Sequence, residues 1–327
     1  MKLPRRQFLH LVASAAALPM VSRFAQAQSY PTRPVRLIVP AAAGGPGDFI
    51  GRLLAQKLSE AWGKPFVVEN IPTGAGNVAM AMAAKAPPDG HTLTVISTAF
   101  VINPGLYANL GYDPIKDFEA VTLVAVSPNA VTVHPSLPAH NIEELIALLK
   151  ANPDKYSYAS AGIGQSGHLA GELFKLKFGL DLVHVPFNGG AGAMTATIGG
   201  HTQVAFTALP AAAPYIKDGK LRALAVTSSR RAPDFPEVPT LAEAGAPDQE
   251  SVFLQGIVAP AGTPKQIIDL VNREIIKTLT MPDVAQRLAT IGFYVSTNSP
   301  AEFAALIAAE IAKWSRVIRE ASIERIP

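Results

Sequence analysis

Beyond residue 28 the chain alternates short apolar runs rich in β-branched residues with longer stretches whose apolar positions recur every three or four residues. The short runs predict strands at Val35–Val39, Phe66–Glu69, Thr92–Ser97, Val121–Val126, Ala130–His134, Tyr156–Ser160, Leu182–Pro186, Gln203–Thr207, Leu221–Thr227 and Leu254–Ala259. Between them, helical spacing predicts Phe49–Trp62, Val78–Ala86, Ile142–Ala151, Leu169–Phe178 and Ala191–Ile198. The last third turns helical, with Pro264–Thr280, Pro282–Ile291 and Pro300–Ser322. Two of these helices open on Thr263-Pro264 and Ser299-Pro300, which places a capping hydroxyl before a proline at the first helical position.

This rhythm implies an α/β protein with mostly parallel sheets flanked by helices. The β–α units are too many for one compact sheet with a helical tail, so two domains are expected. One comprises 28–128 with 252–327, the other 129–251, and the chain crosses near Ser127-Pro128-Asn129 and Glu250-Ser251.

Composition refines the picture in three respects. Hydrophobic residues make up 49% and charged residues only 16%, which indicates a body with a large interior and excludes a disordered chain. The start, "MKLPRRQFLHLVASAAALPMVSRFAQAQ", has a basic head, an apolar middle and a small-x-small end at Ala25-Gln26-Ala27. That is the layout of an export signal cleaved near Ala27, giving a periplasmic location. Arg5-Arg6 ahead of Gln7-Phe8-Leu9 resembles a twin-arginine signal, the alternative being an ordinary basic head. Residues 1–27 carry Lys2, Arg5, Arg6 and Arg23 and no acid, so removing them takes the formal charge from +3 to −1. A near-neutral body without a basic block excludes nucleic acid as a partner. The chain has no cysteine, so packing alone must hold it in an oxidising compartment.

Three glycine loops then stand out. "VPAAAGGPGDF" runs from a strand into a helix expected to begin near Asp48 or Phe49, whose first N–H groups lack partners inside the helix. Such an end is an anion cradle resting on main-chain dipoles. The other reading of the glycines is a tight turn, and Asp48 reads equally as helix N-cap or ligand contact. No Gly-Lys-Ser/Thr follows, so this is not a phosphate loop. The second loop, "SAGIGQSGH", contains Gly162-x-Gly164-x-x-Gly167 in the order of a dinucleotide fingerprint. No acid follows the next strand, "LVHVPFNGG", to grip a ribose, which argues against NAD; no cofactor is expected. Ser166, in "GQSGH", is outside the Gly-x-Ser-x-Gly elbow of hydrolases, and His168 is expected as a hydrogen-bonding wall in the first helical turn. The third loop, "VPFNGGAGAM", repeats the plan, and polar groups also follow strands at Ser97-Thr98 and Thr207. None of His91, His134, His140, His168, His184 and His201 forms a His-x-x-x-His pair. Loops of this kind at the carboxyl ends of strands can hold a small acid in a shared cleft.

Taken in order, "YPTRPVRLIVPAAAGGPGD", "VVENIPTGAGNVA", "APPDGHTL", "NPGLYANLGYDPIKDF", "YASAGIGQSGHLAGELF", "HVPFNGGAGAMTATIGGHTQVAF", "GKLRALAVTSSRRAPDFPEVPTLAEAG" and "APAGTP" resemble the Bug, or TctC-like, receptors of tripartite tricarboxylate transporters. The resemblance covers essentially the whole chain after the leader. It implies a type II-like periplasmic-binding-protein fold with the ligand cleft between two domains, and a receptor rather than an enzyme. It also implies a monomer that captures a di- or tricarboxylate, amino acid or aromatic acid and serves membrane permease subunits or a sensor kinase. Carried over residue by residue, the first-domain site is Ala41, Ala42, Ala43, Gly44, Gly45, Gly47 and Asp48, with Ser97 and Thr98. The second-domain site is Ser160, Ala161, Gly162, His168, Phe187, Asn188, Gly189 and Gly190, with Thr207. Departures from the family pattern are Ala41 for a bulky aromatic, Gly47 for threonine, Asn188 for a basic or polar residue, and Ala196 and Thr207 for aspartates. These imply a roomier or less polar pocket. The alternative function is an exported α/β hydrolase using Ser166 or another cleft serine.

Overall fold

A single long strand organises the molecule. In the computed structural model, which describes residues 30–327, β4 runs without a break from Phe118 to Val133. It belongs to a ten-stranded sheet in which eight strands lie in the order β2-β1-β3-β9-β4-β7-β5-β6 and the other two, β8 and β10, also pair with β4. The strands are β1 (Val35–Val39), β2 (Phe66–Asn70), β3 (Thr92–Ser97), β5 (Ser157–Ser160), β6 (Val183–Pro186), β7 (Val204–Ala208), β8 (Arg222–Val226), β9 (Val252–Pro260) and β10 (Tyr294–Val295). The helices are α1 (Pro46–Trp62), α2 (Asn77–Ala83), α3 (Ala99–Leu106), α4 (Ile142–Ala151), α5 (Ser166–Phe178), α6 (Gly190–Ile198), α7 (Leu209–Lys217), α8 (Lys265–Leu279), α9 (Pro282–Thr290) and α10 (Pro300–Glu320). The leader expected at 1–27 lies outside the described residues.

β4 changes partners part-way. Phe118 to Pro128 pair with β9, whereas Asn129 to Val133 pair with β7. The expected strands Val121–Val126 and Ala130–His134 are therefore one element, and the expected turn at Ser127-Pro128-Asn129 is its middle. Proline is tolerated there because pairing to β10 ends at Val126 and pairing to β8 begins at Ala130, so on that edge Pro128 has no ladder bond to lose. The outer strands pair in parallel, β1 with β2 and β3, and β5 with β6 and β7. The strands that cross between lobes pair antiparallel, which makes the sheet mixed.

Each lobe has apolar clusters on both sheet faces. In the first, Leu37, Val39, Ile50 and Leu54 pack with α8 and α9, while Ile38, Phe100, Phe303 and Trp314 fill the opposite face. In the second, Tyr158, Phe174 and Phe206 form one cluster and Ala193, Met194 and Leu209 the other. Buried Leu169 and Leu173 of α5 belong to the first lobe's cluster with Trp314, so the lobes share apolar contact as well as β4 and β9. Among the described residues no helix is long and apolar enough to cross a membrane.

Candidate functional site

The first glycine loop leaves β1 at Pro40. Its turn closes where the Gly45 N–H donates to Ala42 O at 3.3 Å, with Gly44 at φ 83°, a conformation glycine adopts without strain. The helix begins two to three residues earlier than expected, at Pro46, because proline has its φ preset and no N–H to leave unpaired. Asp48 is therefore not the N-cap; Gly45 is. Asp48 sits in the first turn, almost fully buried, and its Oδ2 accepts from Gly44 N–H (2.9 Å) and Arg52 Nε (3.0 Å). The Arg52 guanidinium holds the Asp48 carboxyl below the usual carboxylate range, with the Gly44 N–H adding to the effect. Within the expected cradle, the loop N–H groups of Gly44 and Gly45 are thus already used. The N–H groups of exposed Ala42 and Ala43 have no hydrogen-bond partner among the described residues, and Ala41 O accepts from Asn70 Nδ2 at 3.1 Å.

At the end of β3 the two polar residues divide their tasks. Thr98 is buried, and its Oγ1 accepts from Leu254 N–H at 2.8 Å, tying α3 to β9. Its hydroxyl is committed to β9, since it also donates to Val252 O at 3.4 Å. Half-buried Ser97 lines a small cavity with Pro40, Asn77, Met80, Phe100 and Tyr112. Beside Ser97 in register lies a residue that the sequence reading missed, Gln255 on β9. It is 2% exposed, its Oε1 has no hydrogen-bond partner, and it lies 3.5 Å from where a Cβ on Gly47 would stand. A glutamine inside an apolar strand carries no signal of this kind, because neither its partners nor its facing can be read from spacing.

In the second lobe the loop after β5 is held by its own side chains. Ser160 is fully buried; its Oγ accepts from Gly162 N–H (3.2 Å) and lies 2.7 Å from His184 Nε2. His168 accepts from Gly164 N–H through Nδ1 at 3.1 Å. Its ring stacks on His184 with centroids 4.0 Å apart, and His184 stacks in turn on Tyr158. Burial pushes His168 down to about 4, helped by Lys175, and burial likewise pushes His184 down to about 4. Both imidazoles are neutral near pH 7, and His168 braces the loop from behind. The third loop packs on the second: Phe187 N–H donates to Ser160 O, and Gly189 N–H to Ala161 O. Gly189 caps α6, Gly190 begins it, and Asn188 is exposed between half-buried Phe187 and Gly189. Thr207 is buried, with its hydroxyl on Met194 Sδ at 3.7 Å. Ser160, Ala161, Gly162, His168, Phe187, Gly189 and Gly190 thus form one cluster, while the Thr207 hydroxyl is engaged beneath it.

β4 also sets the spacing of the two groups. Gln255, beside Ser97, pairs with Ala125, and Thr207 pairs with Ala130. Five residues of strand correspond to roughly 17 Å, so the two sets of loops are anchored on either side of the partner switch. Nothing here supports the hydrolase alternative at Ser166: its buried hydroxyl donates to Asn129 Oδ1 at 3.1 Å, and among the described residues it forms no hydrogen bond with a histidine. Among the described residues no group of three or more His, Cys, Asp or Glu could hold a metal.

The family model described as "Tripartite tricarboxylate transporter family receptor" matches residues 50–323. The chain belongs to this receptor family. It is 34% identical to BugT of Bordetella pertussis over 90% of this chain and 91% of the relative. Against solved structures, a Rhodopseudomonas palustris protein with adipate is 35% identical with a TM-score of 0.74, covering 91% of this chain and all of that one. A TctC solute-binding protein from Polaromonas without ligand is only 28% identical, yet reaches a TM-score of 0.82 over 89% of this chain and 99% of that one.

Proposed function

We propose that this receptor captures a small carboxylate between its lobes in the periplasm and hands it to the membrane subunits of a tripartite tricarboxylate-type transporter. The observation that carries the reading is the placement of glycine loops at the carboxyl ends of parallel strands in both lobes, which crossing strands join. The donors for the acid are the main-chain N–H groups of Ala42 and Ala43 and the Ser97 hydroxyl on one side. On the other side they are the groups around Gly162, Asn188 and Gly190. The moving bodies are 28–128 with 252–327, and 129–251. Adipate in a relative of similar sequence supports a dicarboxylate-sized ligand.

A thermal-shift panel of dicarboxylates, tricarboxylates, amino acids and aromatic acids tests the reading. A ligand at 100 times its dissociation constant stabilises by about 2.7 kcal/mol, which raises the melting temperature by several degrees. A flat response across the whole panel, with no ligand co-purifying in native mass spectrometry, sinks it.

A further inference from the structure

A cavity of about 290 Å³ lies where the chain passes from one lobe to the other, on the face of the first lobe's sheet that α10 covers. Its floor is apolar, formed by Leu123 and Val126 of β4, Leu254 of β9 and Leu306 of α10. Glu250, Glu310 and Lys313 stand around that floor, together with Ser228, Ser229 and Ser296. The charges are unevenly matched. Glu310 is satisfied at both carboxylate oxygens, by Lys313 Nζ and by Trp314 Nε1, the latter at 2.8 Å. Lys313 also donates to the main-chain oxygen of Glu250 at 3.1 Å, and not to its side chain. The Glu250 carboxylate thus forms no ion pair among the described residues. Although Glu250 is exposed, the protein packed around its carboxyl pushes it above the usual carboxylate range, with Lys313 opposing the effect and Glu310 adding to it. None of the residues proposed to hold the carboxylate lines this cavity.

We infer that this cavity is a second binding site, for a small ligand that carries an ammonium or guanidinium group on a short aliphatic stem. Each part of such a ligand has its place. The stem covers the four apolar side chains of the floor, the cation pairs with the Glu250 carboxylate, and its remaining N–H groups reach the hydroxyls of Ser229 and Ser296. Two carboxylates against one ammonium leave a net negative charge, which favours a cation and repels a free acid. The volume is at the small end of ligand sites, so the stem is short. Ser228, Ser229 and Glu250 come from the body proposed as 129–251 and the other lining residues from its partner body, so an occupant touches both. The inference does not rest on the carboxylate reading.

Saturation-transfer NMR with n-butylamine, n-butylguanidine and n-butanol tests this on the purified full chain, since the three share a stem and differ in charge. Both cations are expected to bind in the millimolar range, the weak affinity that so few atoms allow, and about fivefold or more tightly than the alcohol. Glu250→Gln keeps the shape and removes the charge. It is expected to abolish the preference for the cations while leaving the alcohol within about twofold. Ser296→Phe fills the cavity and is expected to weaken all three, with an unchanged melting temperature showing that each variant is folded. The site is overturned by an alcohol that binds as tightly as the cations, by a preference that survives Glu250→Gln, or by no binding of either cation. Undiminished binding of all three to folded Ser296→Phe overturns it as well, since the probes would then lie elsewhere. The carboxylate reading fails on a different observation, a flat response to the acids, and either can fall without the other.

Discussion

At the scale of single residues, the glycines that look like a nucleotide fingerprint turn out to be packing devices. A Cβ on Gly167 would lie 2.2 Å from the main-chain oxygen of Phe206, so α5 can approach β7 only because residue 167 has no side chain. The spacing was legible; its purpose was not, because a close helix–strand approach depends on a strand some forty residues away. Gly167→Ala is expected to cost on the order of 3 kcal/mol, read as a lowered urea midpoint, because backbone must move to accept it. An unchanged midpoint would show that the contact is slack. The neutral histidines give a second prediction. With His168 at about 4 in the folded protein and near 6.5 when unfolded, the unfolded chain takes up the proton first as pH falls. The stabilisation is complete above about pH 6.5 and is lost progressively down to about pH 4, amounting to on the order of 3 kcal/mol from His168. Urea melts at pH 7.5 and 5 should differ in that direction. His168→Gln, which cannot titrate, should flatten part of the slope; an equal slope in both proteins would assign it elsewhere.

At the scale of elements, legibility followed how local the cause was. Ile142–Ala151 and Thr92–Ser97 match their predicted bounds, since an amphipathic stripe with an Asn141 cap and an unbroken apolar run are both written in neighbouring residues. The paired Thr-Pro and Ser-Pro signals separate for the same reason. Ser299 forms a capping box with Glu302, each side chain meeting the other's main-chain N–H. Thr263, expected to do likewise, instead donates to Pro260 O at 2.7 Å, and Pro264 stands as the N-cap with ψ at 132°. The chain leaving β9 needs that carbonyl satisfied, a demand that the dipeptide does not encode. α3 and α7 escaped the pattern because Pro104, Pro210 and Pro214 read as breaks, whereas Pro210 lies in the first turn of α7 and the rest are carried by packing. Ser299→Ala should therefore lower stability by about 1 kcal/mol, measurable as a reduced denaturation midpoint with carboxylate affinity unaltered. Thr263→Ala should not lower the helical circular dichroism of α8, because its hydroxyl does not cap that helix.

At the scale of the whole molecule, the proposed capture requires two strands and a few apolar contacts to permit one lobe to move against the other. The partner switch of β4 is held by Asn129, wholly buried, whose side chain donates to Ser251 O at 3.0 Å and accepts from Ser166, while its main chain is bonded to Thr227. This knot fixes where β4 can bend without fixing how far. The lobes also touch lightly: Gly164 lies against Leu106 and Gly292 against Pro210, at places where a single added carbon would clash. At these glycine contacts no side chain on the glycine side has to be extracted as the angle changes, whereas Leu169 and Leu173 would have to slide along the Trp314 cluster. Sequence spacing could indicate two lobes, but not this seam, since its members are separated by scores of residues. If the acid is captured between the lobes as proposed, ligand should close them. Small-angle scattering on the unliganded protein should give a larger radius of gyration than on protein saturated with a carboxylate that calorimetry shows to bind. Asn129→Ala removes bonds from the knot, including the one that Ser166 donates from the end of the second loop, so it should lower stability and broaden the unliganded distance distribution, while the liganded one stays narrow. An unchanged radius of gyration despite measured binding heat would mean that the acid is held on one lobe, and the crossing strands would then be rigid struts instead of a hinge.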